Sequence, residues 1–175
     1  MKKSLSFWQF TGFVFTSVFG TLLHFLYDWT NNTLMALISG VNESVWEHMK
    51  ILFFPMFIFA LIEIKFFAKQ YNNFWVSKFV GIFAGLLTIP LLYYTYKGSL
   101  GVSADWFNIL IYYIAAAISY LLEIKLLKSN KKFCFSSNTG LLFLCLLALL
   151  FMIFTFTPPK IPLFQDPITK AYGLV

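Results

Sequence analysis

Long runs of apolar residues dominate the chain, and polar positions gather between them. A membrane-spanning helix needs about 20 mostly apolar residues, at about 1.5 Å per residue, to cross about 30 Å of hydrocarbon. Five segments approach or exceed that length: residues 7–27, 49–67, 74–96, 107–127 and 140–156. The pattern predicts an all-α, polytopic bundle of five transmembrane helices within residues 1–157, followed by a tail over residues 158–175.

The second and fourth predicted spans resemble each other. At a fixed offset of 60 residues, Trp46 matches Trp106, and the E-I-K at 63–65 matches the E-I-K at 123–125. Parallel repeats are one known way to build transporter-like bundles. The match favours a two-helix parallel repeat plus one extra helix, while coincidence between apolar helices of low diversity explains so short a match equally well.

Composition agrees with a membrane protein and excludes two other classes. The chain is 59% hydrophobic and 11% charged, whereas soluble domains carry about 25% charged residues. Disordered chains are poor in apolar residues, so disorder is excluded as well. All basic residues are lysines, and they lie at the ends of apolar runs. Nucleic-acid binders rely on clustered basic faces rich in Arg, so no nucleic-acid partner is expected. The expected partner is the lipid bilayer. The oligomeric state stays open.

Lysine placement predicts the orientation, because lysines concentrate on the cytoplasmic side of a membrane protein. The first connection, residues 28–46, has no lysine. The N-terminus and the even-numbered connections are therefore predicted to face the cytoplasm, and the C-terminus to lie outside the plasma membrane. The lysines assigned to the cytoplasmic side are Lys2, Lys3, Lys65, Lys69, Lys78, Lys125, Lys128, Lys131 and Lys132.

Ionisable residues cluster at the predicted exoplasmic end of the first two spans. His24 and Asp28 continue a row of small residues at four-residue steps on the first span, so both should lie on a packed helix face. Asp28 is expected to orient the His24 ring by binding one of its nitrogens. Glu43, Glu47 and His48 lie at the start of the second span. Ionisable groups at membrane depth are costly and usually functional.

Two histidines and a carboxylate are enough to bind zinc with one position left open for water. In this interpretation His24 and His48 are metal ligands, and Glu43 or Glu47 is the third ligand or the general base. The cofactor is otherwise unknown, and a divalent metal such as zinc is the candidate. Glu47 has a structural explanation too, because Ser44-x-x-Glu47 fits a capping box. The zinc motif H-E-x-x-H is absent.

Two further features are assigned to the same end. Trp46, like Trp106, is interpreted as an anchor at the membrane–water interface. Four prolines give the tail at 158–175 an extended path, and its apolar residues favour a lid folded back over the exoplasmic face. In that arrangement Asp166 is expected to reach His24 and His48. The alternative is a disordered tail.

Three strings resemble an uncharacterised family of small bacterial polytopic membrane proteins, annotated only as a domain of unknown function. They are L-L-H-F-L-Y-D-W at 22–29, V-N-E-S-V-W-E-H-M-K at 41–50, and P-P-K-I-P-L-F-Q-D-P-I-T-K-A-Y-G at 158–173. Lys170 stands where that family's pattern has glycine. The resemblance implies a polytopic membrane fold and groups the three segments, and it implies no activity.

Four functions remain open on the sequence. One is a metal-dependent intramembrane hydrolase acting on a lipid-linked or exoplasmic small-molecule substrate. A second is a small-solute transporter or substrate-capture subunit, against which the apolar middle of the spans counts, because transporter sites lie near the midplane. The third is a haem protein with His24 and His48 as axial ligands. The fourth is a structural membrane partner in which the polar cluster is a hydrogen-bonded clasp.

Overall fold

The computed structural model describes residues 4–129 and 133–174, and it is built from helices. Over these residues no β-strand forms, and one isolated antiparallel bridge joins Gln165 to Tyr172. The predicted all-α class is confirmed. The helices are α1 (Leu5–Thr30), α2 (Thr33–Ala36), α3 (Val45–Phe67), α4 (Phe74–Leu100), α5 (Asp105–Leu127) and α6 (Ser137–Phe156), followed by a short 3-10 turn at Pro162–Phe164.

The helices extend beyond the predicted apolar segments because polar residues cap them. Ser44 accepts a hydrogen bond from the backbone N–H of Glu47, which starts α3 before the apolar run begins. Ser136 caps α6 in the same way. α4 continues to Leu100 and ends at Gly101, whose φ of 70° suits glycine.

Four of the five predicted spans are confirmed as helices long and apolar enough to cross a membrane: α1, α4, α5 and α6. The fifth predicted span, residues 49–67, is helical within α3, but α3 is not among those four. It differs from them by burying three charged side chains, Glu47, Lys50 and Glu63.

Four long helices form a closed ring. α1 packs against α3 and α5, and α4 packs against the same two helices, while α6 lies outside the ring against α4 and α3. Gln9, early in α1, donates to Glu63, late in α3. His24, late in α1, lies beside His48, early in α3. α1 and α3 are therefore antiparallel, and the bundle has a histidine end, with His24 and His48, and a lysine end, with Lys78.

The surface of the bundle is unusually apolar for a protein in water. Large apolar side chains are exposed along α1, α4, α5 and α6, among them Phe10, Leu91, Leu121 and Leu149. Exposed apolar surface of this extent indicates contact with another apolar phase. Four apolar helices with exposed apolar faces are the arrangement expected of a bundle surrounded by lipid.

The lysines used for orientation divide into three groups. Lys2, Lys3, Lys131 and Lys132 lie outside the described residues. Lys65, Lys69, Lys125 and Lys128 are exposed at the lysine end. Lys78 is buried in the bundle, with 1% of its surface exposed, because two carboxylates from neighbouring helices pair with it.

Candidate metal centre

A reversal of the chain after α1 brings the predicted site residues together. Asn31 ends α1 in the left-handed conformation, with φ of 48°. α2 follows, and the backbone N–H of Gly40 then donates to the Leu23 carbonyl over 3.1 Å. The loop is thereby held alongside the last turns of α1, and it places Glu43 between His24 on α1 and His48 on α3.

His24, Glu43 and His48 form one compact cluster. Nε2 of His24 lies 3.7 Å from Oε1 of Glu43, and Nε2 of His48 lies 3.6 Å from Oε2. Each residue offers one ligand atom, and these atoms all lie within 4.8 Å of one another. Two ligands of a tetrahedral zinc, each about 2.1 Å from the ion, are about 3.4 Å apart. The cluster is therefore close to the spacing that a shared metal ion requires.

A second contact of His48 orients its ring for metal binding. Nδ1 of His48 lies 2.9 Å from the carbonyl oxygen of Ser44. Because a carbonyl oxygen only accepts, Nδ1 is assigned the hydrogen in the neutral ring, and Nε2 then carries the free lone pair. That lone pair is on the nitrogen nearest Glu43. Backbone carbonyls commonly orient metal-binding histidines in this way.

Glu47 lies outside this cluster. Its carboxylate is buried and 2.5 Å from Nζ of Lys50, and it accepts a hydrogen bond of 3.2 Å from the backbone of Val41. Lys50 also donates to the Ala36 carbonyl over 2.9 Å and to Oγ1 of Thr155 over 2.7 Å. The ion pair therefore ties α3 to α2 and α6. Of the two glutamates considered for a ligand or base, Glu43 is the one that faces both histidines.

Asp28 occupies an exposed position one turn beyond His24. Within the described residues, no hydrogen bond or ion pair joins its carboxylate to the His24 ring. The expected role of Asp28 as the group that orients His24 therefore has no contact to support it. The nearest carboxylate partner of His24 is Glu43 instead.

The tail folds back over the histidine end, and Asp166 secures it there. Its carboxylate accepts hydrogen bonds from the backbone N–H groups of Ile168, Thr169 and Glu43, over 2.7, 3.0 and 3.4 Å. Burial alone would raise the pKa of Asp166, but these hydrogen bonds hold it below its ordinary value. Asp166 therefore contacts the backbone of Glu43, rather than the imidazole rings that it was expected to reach.

Trp46 holds the tail from the other side. It is buried, and its ring centroid lies 4.5 Å from that of Phe151 on α6 and 4.7 Å from that of Phe164 in the tail. Trp106, its match in the sequence repeat, is exposed. The tail covers the start of α3 and buries Trp46. Trp106, rather than Trp46, therefore has the exposure expected of an interface anchor.

Two cavities flank the cluster. The larger, of about 490 Å³, lies between α1 and α5, and the smaller, of about 250 Å³, extends toward α4. Glu43, His48, Asp105, Asn108 and Tyr112 border both cavities. Ligand sites are usually concave, mainly apolar and furnished with a few polar groups. The walls of the larger cavity fit that description, and they include Gly20, Phe25, Ile51, Ile109 and Tyr113.

Comparison with known proteins places the chain in a family. A family model matches residues 1–174. The chain belongs to DUF6512, a family of unknown function. The match confirms the resemblance to an uncharacterised family that the three sequence strings indicated. Among curated proteins and among solved structures, comparison with this DUF6512 chain found no match.

Sequence reasoning missed two residues near the candidate site, Asn108 and Lys50. Asn108 borders both cavities, accepts a hydrogen bond from the Tyr96 hydroxyl and donates to Oγ of Ser103 over 3.2 Å. Asn108 follows His48 by 60 residues, so the repeat offset carried the signal. The sequence also contains a signal for the pairing of Lys50 with Glu47, because residues three apart share one helix face.

Proposed function

We propose that this protein is a five-span plasma-membrane protein whose histidine end faces the exoplasm and forms a metal-dependent hydrolase site. α3 supplies the fifth span. It packs between α1 and α4, antiparallel to α1, so it carries the chain back along the length of the bundle. Its 23 residues measure about 34 Å, which is enough to cross the hydrocarbon. Its buried charges pair inside the bundle, with Lys50 and Lys78 as the cations.

The ring of four helices supports a duplicated architecture. The pairs α1–α3 and α4–α5 each pack closely, and they also meet through α1–α5 and α3–α4. This is the arrangement expected of two parallel repeats about an axis along the membrane normal. The exposed lysines at the lysine end support a cytoplasmic position for that end.

The convergence of His24, Glu43 and His48 carries the proposal of a metal centre. The two histidines bind through Nε2, and Glu43 supplies the third ligand. Three protein ligands leave a fourth position for water, as in catalytic zinc sites. A divalent cation held by these three residues would supply a water molecule activated at neutral pH. Asp105, which borders both cavities, would be the carboxylate available to accept a proton there.

The two cavities suggest an amphiphilic substrate. The larger has apolar walls between α1 and α5, two helices with apolar residues exposed on their outer faces. The smaller contains Lys97, whose Nζ donates to the Tyr93 hydroxyl over 3.0 Å. An acyl or polyprenyl chain fits the first cavity, and an anionic head group fits beside Lys97. A lipid-linked ester or phosphoester bond would then lie next to the metal centre.

Elemental analysis of the purified, detergent-solubilised protein tests the metal centre. The native protein and Asp28→Asn, the matched control with an exposed carboxylate at the same end, should each contain stoichiometric divalent metal. His24→Ala, His48→Ala and Glu43→Gln should lose it while keeping their helical circular dichroism. A folded native protein that stays free of metal after incubation with zinc would refute the metal centre.

A hydrolysis assay on metal-loaded protein tests the reaction. Fluorogenic lipid esters and phosphoesters should be cleaved by the native protein and by Asp28→Asn, and not by His48→Ala. Short-chain analogues should be poorer substrates, because they leave the larger cavity empty. Metal binding without any cleavage, combined with ligand-dependent thermal stabilisation, would favour a substrate-capture subunit over a hydrolase.

A further inference from the structure

A buried charged triad lies at the lysine end, opposite the candidate metal centre. Lys78 of α4 stands between Glu63 of α3 and Glu123 of α5, and no more than 1% of any of these residues is exposed. Nζ of Lys78 lies 2.5 Å from Oε2 of Glu123 and also donates to Oε2 of Glu63. The triad therefore joins three of the four helices of the ring.

The charges of this triad do not balance. If all three groups are ionised, one ammonium faces two carboxylates, and one negative charge remains uncompensated. α1 contributes the neutral amide of Gln9, and α5 contributes Tyr120, whose ring centroid lies 5.9 Å from Nζ of Lys78. α6 has no charged residue, and the nearby Lys65 and Lys125 are exposed. An uncompensated buried charge is strongly unfavourable.

The hydrogen bonds show where the imbalance lies. Both oxygens of Glu63 have donors, since Oε1 accepts from Nε2 of Gln9 over 2.8 Å and Oε2 accepts from Lys78. Glu123 accepts a hydrogen bond from Lys78 on Oε2. Its Oε1 is buried and, within the described residues, has no hydrogen-bond partner. A charged carboxylate oxygen buried without a donor costs more free energy than a neutral hydroxyl buried without a partner, so protonation lowers the cost.

Close packing keeps other groups away from this oxygen. A Cβ added at Gly81 of α4 would lie 3.2 Å from Oε1 of Glu123 and 3.0 Å from the Ser119 carbonyl. Glycine at this position lets the backbone of α4 approach α5 until the Glu123 side chain fills the space between them. The room beside Oε1 therefore suits a hydrogen atom.

We propose that the Glu63–Lys78–Glu123 triad is a proton-binding site that holds one exchangeable proton, placed on Oε1 of Glu123, where it offsets the surplus negative charge of the two carboxylates. The proton comes from water at the lysine end and adds to a carboxylate, which changes the charge of the triad from −1 to 0. When two carboxylates lie close together, one of them is commonly protonated. The site is independent of the metal centre at the other end of the bundle.

Infrared spectroscopy of the protein in detergent tests the proposal through the carbonyl band of a protonated carboxyl group. At neutral pH the native protein should show this band with the intensity of one group, and the band should shift in D₂O. Glu123→Gln and Glu63→Gln should each lose it, because the remaining carboxylate then pairs one-to-one with Lys78 and stays ionised. Glutamine keeps the shape of glutamate, so both variants are expected to fold, as checked by thermal unfolding.

Glu47→Gln is the matched control, because Glu47 is also buried but already has its own cation in Lys50. This variant should keep the band at full intensity. Absence of the band from the native protein would overturn the proposal without any variant. Persistence of the band in either Glu63→Gln or Glu123→Gln would overturn the argument that the surplus carboxylate of the triad takes up the proton. Neither result bears on the metal centre, which elemental analysis tests separately.

Discussion

The ion pair between Glu47 and Lys50 gives the sharpest test of how the histidine end is built. Both side chains are almost fully buried, and Nζ of Lys50 lies 2.5 Å from the Glu47 carboxylate. Removing one partner of a buried pair leaves the other charge uncompensated, at a cost of about 3–5 kcal/mol. Lys50→Met and Glu47→Gln should each lower the free energy of unfolding by about that amount.

The double variant separates the pair from its surroundings. Glu47→Gln/Lys50→Met leaves no unpaired charge, so it should be more stable than the sum of the single losses predicts, by about 1–3 kcal/mol. Part of the loss should remain, because methionine cannot donate to Ala36 and Thr155 as Lys50 does. Reversible denaturant unfolding in detergent, followed by circular dichroism, measures all four proteins of the cycle.

Metal content measured on the same samples decides the role of Glu47. If Glu47 is structural, folded Glu47→Gln retains its metal, and folded Glu43→Gln does not. Single losses below about 1 kcal/mol, the range of exposed ion pairs, would contradict the reasoning from burial. So would a Glu47→Gln protein of native stability that has lost its metal, because Glu47 would then be a ligand.

Three further predictions concern packing, pH and orientation. Gly140→Ala should destabilise the protein in thermal unfolding, because its Cβ would lie 2.6 Å from a backbone carbonyl oxygen, whereas Gly98→Ala, with nothing within 4 Å, should be neutral or stabilising. The lowered pKa of Asp166 means that its contribution to tail docking is complete above the unfolded pKa of about 3.9 and is lost as the pH falls through the lower folded pKa. Limited proteolysis should therefore cut the tail of the native protein faster in acid than at neutral pH, whereas the tail of Asp166→Asn should be cut rapidly at every pH. Equal cleavage rates for the two proteins at neutral pH would contradict this. In intact cells, a membrane-impermeant thiol reagent should not label the exposed Cys134, but it should label the cysteine of Lys170→Cys. The reverse labelling pattern would show that the proposed topology is inverted.

The sequence predicted the helices well because lipid imposes a simple rule on composition. Any segment that crosses hydrocarbon must be long, apolar and internally hydrogen-bonded, and α1, α4, α5 and α6 carry that signal without help from the rest of the fold. α3 shows the limit of the rule. Its charged residues are placed by partners on other helices, and a reading of local hydropathy does not include those partners.

The candidate site was also predictable in part, because the order of the spans decides which residues share an end of the bundle. His24 and His48 were assigned to one end by span order, and Glu43 lies beside His48 in the sequence. The choice between Glu43 and Glu47 depended on Lys50, whose burial follows from contacts with α2 and α6. Lys78 was assigned to the cytoplasmic surface because lysines usually lie there, but its carboxylate partners are 15 and 45 residues away along the chain.

The tail has a consequence for the order in which the protein matures. The backbone of Glu43 is held by Asp166, and Asn42 donates to the carbonyl of Gly173 over 2.9 Å. Residues 166–173 are translated after α1–α6, and in the proposed topology they must also cross the membrane. A newly made chain can therefore insert and pack its helices while the Glu43 loop still lacks its final support. The candidate metal centre would then be completed on the far side of the membrane, after the helices have inserted.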